Sequence, residues 1–307
     1  MTDTSPTIDV TRPLRRESGA FAMLAVDQRE AMRLMFAGDA TPNADGSVPD
    51  EVLAAVPDST LTDFKLKATR VLSPYASAVL MDRQFVWDAA IEQGVVAASC
   101  APIIAADRFI PGHGEVVTDQ VIDENIDYTA AKAQGAVAAK LLVIYREDEP
   151  AQKRIDMVDD FVARCRAAGL ISIIEPVCKA PRRGGEWDWN AGVLAAAQEL
   201  GSLGADLYKA EVPLKGAGDD AELYDACAAL DAAISSPWVV LSSGVPADDF
   251  PRAVEIACKA GASGFLAGRA VWRACIGAAD VETALETDAV PRLQRLVEVV
   301  DRVVGSR

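Results

Sequence analysis

Ala205-Asp-Leu-Tyr-Lys-Ala-Glu-Val-Pro213 reads as a short β-strand with a lysine at its centre. Period-two alternation puts Leu207, Lys209 and Glu211 on one face of that strand. An unpaired ammonium group is costly to bury. An ordinary lysine is neutral in only about one molecule in 2,500 at pH 7. Enclosed among other charges, the same amine becomes a nucleophile able to form a Schiff base. The surrounding sequence has to supply that enclosure.

Seven further runs of the same kind flank it, so the candidate strands cover residues 21–28, 78–85, 101–107, 139–146, 170–177, 205–213, 238–245 and 264–271. Amphipathic, alanine-rich stretches separate them, at residues 156–168, 190–203, 221–234 and 250–260 among others. Near-continuous apolar strands alternating with helices signal a parallel sheet covered on both faces. Eight such units over roughly 250 residues fit a single-domain α/β (β/α)8 TIM barrel better than an open doubly wound sheet. A nucleotide-binding open sheet would carry a glycine fingerprint after its first strand. Here Asp27-Gln28-Arg29-Glu30 follows instead, and no G-x-G-x-x-G or Walker sequence occurs. The segment at residues 38–58, rich in Pro, Gly, Asp and Asn, reads as a long inserted loop, and residues 290–304 read as a terminal helix. No second domain is expected in residues 1–307.

The formal charge of −16 argues against nucleic-acid or anionic-membrane partners, which need a basic face. An anionic small molecule would therefore have to be captured by a local basic pocket against the overall field. The polar start, residues 1–11, lacks the basic and apolar regions of a signal peptide, and no apolar run approaches the roughly 20 residues of a membrane span. Six scattered cysteines without a C-x-x-C pair fit reduced thiols, so a cytoplasmic location is expected. The single histidine, His113, lies in Ile110-Pro-Gly-His-Gly-Glu115 and reads as part of an ordinary loop. One histidine disfavours a histidine-based zinc site, and no metal or other cofactor is expected.

Barrel active sites lie at the C-terminal ends of the strands. Asp27, Asp82, Asp107, Arg146, Glu175, Glu211, Ser242, Ser243 and Arg269 fall there. Lys140 and Arg146 share one face of the fourth strand, as Lys209 and Glu211 share one face of the sixth. Lys140, Glu175 and Lys209 could form a structural ion-pair plug, but three charges on consecutive strands are expensive to keep without a use. One mechanism employs them all. Lys140 beside Lys209 would keep the latter a neutral amine by like-charge repulsion, and Glu175 would act as general acid and base. Asp27 would orient a substrate hydroxyl or support Lys140. Ser242-Ser243-Gly244 and Gly268-Arg269, after the last two strands, suit a phosphate cradle. Gln28 and Glu211 are further candidates for contact with substrate. Arg182 and Arg183 could meet a second anionic end, or simply form a solvated basic loop.

Several blocks strongly resemble a known family: Phe21-Ala-Met-Leu-Ala-Val-Asp-Gln-Arg-Glu-Ala-Met32, Leu61-Thr-Asp-Phe-Lys65, Ser172-Ile-Ile-Glu-Pro176, Asp206-Leu-Tyr-Lys209, Leu241-Ser-Ser-Gly-Val245 and Gly261-Ala-Ser-Gly-Phe-Leu-Ala-Gly-Arg-Ala-Val-Trp272. They are similar to sulfofructosephosphate aldolases, within the class I aldolase family that includes tagatose 1,6-bisphosphate aldolase. The likeness runs from about Thr11 to Arg302. It implies cleavage of 6-deoxy-6-sulfofructose 1-phosphate to dihydroxyacetone phosphate and 3-sulfolactaldehyde in sulfoquinovose catabolism. It also implies a Schiff base on Lys209, with Lys140 and Glu175 as active-site lysine and acid/base. Ser242, Ser243, Gly244, Gly268 and Arg269 match turns expected to hold the phosphate. Arg146, Arg182, Lys65 and Arg29 are candidates by position for gripping the sulfonate. Tagatose or fructose 1,6-bisphosphate, or a non-catalytic phosphosugar-sensing role, are the competing expectations. Barrels of this kind commonly assemble, so a homo-oligomer is expected.

Overall fold

The computed structural model describes residues 9–307, so residues 1–8 of the polar start lie outside the described residues. Among the described residues ten strands form: β1 (Phe21–Ala25), β2 (Ala78–Met81), β3 (Ala101–Ala105), β4 (Asp107–Gly112), β5 (Glu115–Ile122), β6 (Ala138–Tyr145), β7 (Ile171–Cys178), β8 (Leu207–Glu211), β9 (Trp238–Leu241) and β10 (Gly264–Ala267). Eight of them close a parallel barrel in the order β1-β10-β9-β8-β7-β6-β3-β2, while β4 and β5 pair as a separate antiparallel hairpin. This is a TIM barrel, with helices between the strands.

Alternation along the strands sorts side chains into two cores. Phe21, Met23, Leu80, Ile103, Ile171, Ile173, Leu207, Val239 and Leu266 fill the barrel interior at its N-terminal end, and Leu14 packs with them. Alternate residues such as Leu24, Val79, Leu141, Ile174, Tyr208 and Val240 point outward. They meet the buried faces of α3 (Asp58–Leu72), α6 (Ala151–Ala168), α7 (Trp189–Leu200), α8 (Asp220–Ala233), α9 (Phe250–Ala260) and α12 (Val290–Val304). The helices begin and end where side-chain chemistry directs. Asp188 accepts from the Asn190 and Ala191 N–H groups, and Asp219 forms a capping box with Glu222. Gly169, at φ 67°, closes α6 in the left-handed conformation.

Several strands end about four residues earlier than their apolar runs, because pairing stops before the polar residues that turn over the barrel mouth. The fourth and fifth runs are paired almost throughout. Residues 38–58 are not loop throughout, since Asp50–Ala55 forms a short helix, α2. The His113 segment is the tip of the hairpin: His113 and Gly114 take φ 50° and 73°, the two-residue turn that matches the twist of antiparallel strands. Gly46 packs on that tip. A Cβ there would lie 2.2 Å from Gly112 N, so the insertion and the hairpin touch backbone to backbone.

The six cysteines are unpaired and buried. Burial pushes the thiols of Cys100, Cys227 and Cys258 up to about 12, which makes them poor nucleophiles. No helix among the described residues is long and apolar enough to cross a membrane.

Candidate active site

Above the apolar floor, the next inward positions of β6, β7 and β8 are Lys140, Glu175 and Lys209. All three are buried, with Lys140 only 1% exposed. Glu175 lies between the two amines. Its Oε1 is 2.8 Å from Lys209 Nζ and its Oε2 is 2.8 Å from Lys140 Nζ. Lys140 Nζ also lies 2.8 Å from Asp27 and 3.1 Å from Asp107. Arg29 joins from the other side, 2.9 Å from Asp107, its guanidinium over the Phe109 ring. Three carboxylates thus balance Lys140, Lys209 and Arg29, so no net charge is stranded.

Two bare ammonium groups side by side were the expectation; a shared carboxylate separates them instead. Burial would lower the proton affinity of Lys140, but Asp107, Asp27 and Glu175 overcome it and raise its pKa well above the ordinary range. Lys140 is therefore a permanent cation. Burial would likewise raise the Asp27 carboxyl, yet Lys140 and Lys209 outweigh it and hold Asp27 well below the usual carboxylate range. The ring of carboxylates converges on an ammonium, and no metal-ligating cluster occurs among the described residues.

These groups line a cavity of about 1040 Å³ at the barrel mouth, together with Asp27, Gln28, Arg29, Ser242, Ser243, Gly268 and Arg269. Gln28 Oε1 is buried there without a hydrogen-bond partner. Arg269 Nη2 lies 2.6 Å from Ser243 Oγ and faces no carboxylate within ion-pair distance among the described residues. Burial, helped by Arg273, lowers its proton affinity, so an arriving anion would relieve that penalty. Gly268 brings the turn close: a Cβ would meet Ala25 O at 2.4 Å.

Several sequence candidates fall elsewhere. Lys65, on α3, does not line the cavity; it is fully buried against Asp82 and packs over Phe85. Arg146 points away from the cavity to the Ala180 and Thr118 carbonyls. Gly244, at φ 79°, backs onto the Lys215 stem. Glu211 turns across the β7–β8 junction and accepts from Cys178 N–H at 2.8 Å. Arg182 and Arg183 pair with Glu149 and Glu147 and also lie off the cavity wall. Of the proposed sulfonate ligands, Arg29 alone lines the cavity.

Sequence reasoning assigned no role to Asp107, nor to Arg83, Arg108 and Lys179 on the cavity wall. Asp107 does double duty: it holds Lys140, and its Oδ2 accepts the Leu142 N–H at 2.9 Å. Gln120 from β5 similarly accepts from Ile144 N–H at 3.0 Å. The hairpin thereby completes the edge of β6 where β3 has ended. Asp107 at a strand end was the available signal; the hairpin behind it was not visible as a period.

Residues 21–274 match the model of the DeoC/LacD family aldolases. The chain belongs to this family. Among its relatives, the tagatose 1,6-diphosphate aldolase of Listeria monocytogenes serotype 4a (strain HCC23) is 26% identical over 290 residues, covering 86% of this chain and 80% of the relative. Tagatose 1,6-diphosphate aldolase 1 of Streptococcus pyogenes serotype M3 (strain SSI-1) is 26% identical over 280 residues, covering 83% and 81%. Solved structures share the fold. The fructose-bisphosphate aldolase from Slackia heliotrinireducens superposes with TM-score 0.65 at 18% identity, covering 97% of this chain and 89% of that one. An archaeal fructose 1,6-bisphosphate aldolase gives 0.61 at 18% identity over 96% and 98%. The Lys140–Glu175–Lys209 cluster lies within the matched residues, in the cavity at the barrel mouth.

Proposed function

We propose that this DeoC/LacD aldolase works through a Schiff base on Lys209 and cleaves 6-deoxy-6-sulfofructose 1-phosphate to dihydroxyacetone phosphate and 3-sulfolactaldehyde. The contact that carries the reading is Lys209 Nζ to Glu175 Oε1 at 2.8 Å. A proton passed across it leaves a free amine and a carboxylic acid. The amine adds to the C2 ketone, and Glu175 returns its proton to the departing hydroxyl as water leaves and the imine forms. The regenerated carboxylate then takes the proton of the C4 hydroxyl as the C3–C4 bond breaks. The electron pair moves into the protonated imine, giving an enamine on Lys209. Reprotonation at C3 and hydrolysis release dihydroxyacetone phosphate. Lys140, fixed by its three carboxylates, offsets oxyanion charge. The cycle calls on no metal.

Ser242, Ser243, Gly268 and Arg269 are the phosphate contacts in this reading, and Gln28 offers its unpartnered oxygen to a substrate hydroxyl. Arg29 is the candidate for the sulfonate end. Support for the sulfosugar rests on the sequence blocks from Phe21–Met32 and Gly261–Trp272. The Listeria and Streptococcus relatives support a second reading with the same chemistry, in which tagatose or fructose 1,6-bisphosphate is the substrate. Measuring kcat/KM for the sulfosugar phosphate and both bisphosphates decides between them. A higher value for a bisphosphate would reject the sulfonate assignment.

A further inference from the structure

The junction between β7 and β8 is an open seam. β6 pairs with β7 from Ala138–Ile171 to Tyr145–Cys178, and β8 pairs with β9 as far as Glu211–Leu241. Between β7 and β8, only Ile173–Leu207 and Ile174–Tyr208 are in register. Extending that register would place Glu175 opposite Lys209.

The backbone donors explain the opening. Ile171 and Lys179 N–H groups point to β6, bonding to the Val137 and Tyr145 carbonyls. By alternation, residues 172, 174, 176 and 178 direct their donors to β8. Ser172 N–H goes to the Asp206 side chain at 2.8 Å, and Cys178 N–H goes to the Glu211 side chain at 2.8 Å. Pro176 has no donor to give. Two carboxylates therefore replace ladder carbonyls on either side of a proline. In the gap between them, the Glu175 and Lys209 side chains meet.

We propose that Glu211 is a positioning residue: its carboxylate clamps the open end of the seam and sets the span across which Glu175 meets Lys209. The proposal rests on the Lys209–Glu175 chemistry described above and deepens it. What matters is reach. The acceptor oxygen has to extend from β8 to the Cys178 amide, two residues beyond the nucleophile on the same face. Loosening this clamp would move both reacting groups apart, a displacement that catalysis tolerates poorly.

Two conservative variants separate reach from charge. Glu211→Gln keeps the length and an acceptor oxygen but no charge; Glu211→Asp keeps the charge but is one methylene short. Steady-state kinetics would be normalised to active sites counted by borohydride trapping with dihydroxyacetone phosphate. We expect Glu211→Gln to retain kcat within about threefold, and Glu211→Asp to lose about tenfold or more in kcat, with KM within about threefold in both. Amide hydrogen exchange at Cys178 should accelerate in Glu211→Asp and stay near wild type in Glu211→Gln. The reverse order, equal losses, no loss in either variant, or a change confined to KM would each overturn the clamp. The exchange measurement needs no turnover. If the native enzyme formed no trapped adduct, the Schiff-base reading would fall while exchange at Cys178 still judged the clamp.

Discussion

Lys209 Nζ and Glu175 Oε1 stand 2.8 Å apart across a barrel seam that lacks backbone pairing at that level. A nucleophile and its proton acceptor are thus set on adjacent strands, where side chains rather than ladder hydrogen bonds fix their separation. The opposite oxygen of Glu175 is tied to Lys140, which three carboxylates immobilise.

Incubating the protein with dihydroxyacetone phosphate and reducing with borohydride should add the mass of the reduced imine to one site. Peptide mapping should locate it at Lys209, and Lys209→Ala should show neither adduct nor turnover. An adduct on Lys140, or one that persists in Lys209→Ala, would remove the nucleophile assignment.

Replacing Lys140 by Met takes a cation from three buried carboxylates and leaves Asp27 with no ion-pair partner among the described residues. Stability should fall by about 3–5 kcal/mol at pH 7, the cost of breaking a buried ion pair from one side, and turnover should be lost. The deficit should shrink on acidification. In the native fold, Asp27 is held below its ordinary range, so wild type loses that stabilisation as pH falls through the low folded value. The variant has no such stabilisation to lose. Denaturant melts at pH 2 and pH 7 give the comparison, since the loss sets in only below the ordinary value of 3.8; a pH-independent difference would contradict the cluster. EDTA should leave wild-type kcat unchanged.

Arg269→Ala should weaken substrate binding by about 2–4 kcal/mol, read as a raised KM, the range for losing a buried charged contact. Because Arg269 is bonded to Ser243 Oγ and pairs with no acid among the described residues, folding stability should change little. An unchanged KM would remove the phosphate assignment.

Lys65→Met should behave in the opposite way. Its amine is buried against Asp82, whose other oxygen accepts Phe85 N–H at 2.8 Å. Loss of about 3–5 kcal/mol is expected, with KM near wild type, and Asp82→Asn in the same chain should recover most of the stability. A large KM effect without destabilisation would put Lys65 back in contact with substrate.

Glu211 gives the fold a pH dependence of its own. Burial pushes its carboxyl up to about 7, with Cys178 N–H opposing, Glu175 adding to the rise and Lys215 countering it. The folded state therefore keeps this proton after the unfolded chain has released it. The contribution is fully present below about 4.5, the ordinary value, and is lost as pH climbs to about 7. The swing is about 3 kcal/mol. Glu211→Gln should flatten it, so the variant gains relative to wild type between pH 4.5 and pH 8. Parallel stability curves would exclude the shifted carboxyl.

Eight apolar runs, their spacing and the polar residues at their ends were sufficient for the barrel, because burial on both faces of a parallel strand leaves a local mark. Lys140, Glu175 and Lys209 were legible for the same reason: a charge inside such a run is conspicuous. The chain alone could not give distances between strands. Asp107 and Arg108 reach the cavity only because β4 and β5 fold back over it, and a short hairpin with a His-Gly tip carries no long-range periodicity. Lys65 and Glu211 show the converse. Period and position favoured the cavity, yet Lys65 is carried on a helix against Asp82, and Glu211 is drawn across the seam by an amide that Pro176 leaves without a ladder. Alternation decides which face a side chain takes; which partner it finds there depends on how far adjacent strands stay paired, and that is settled only when the barrel closes.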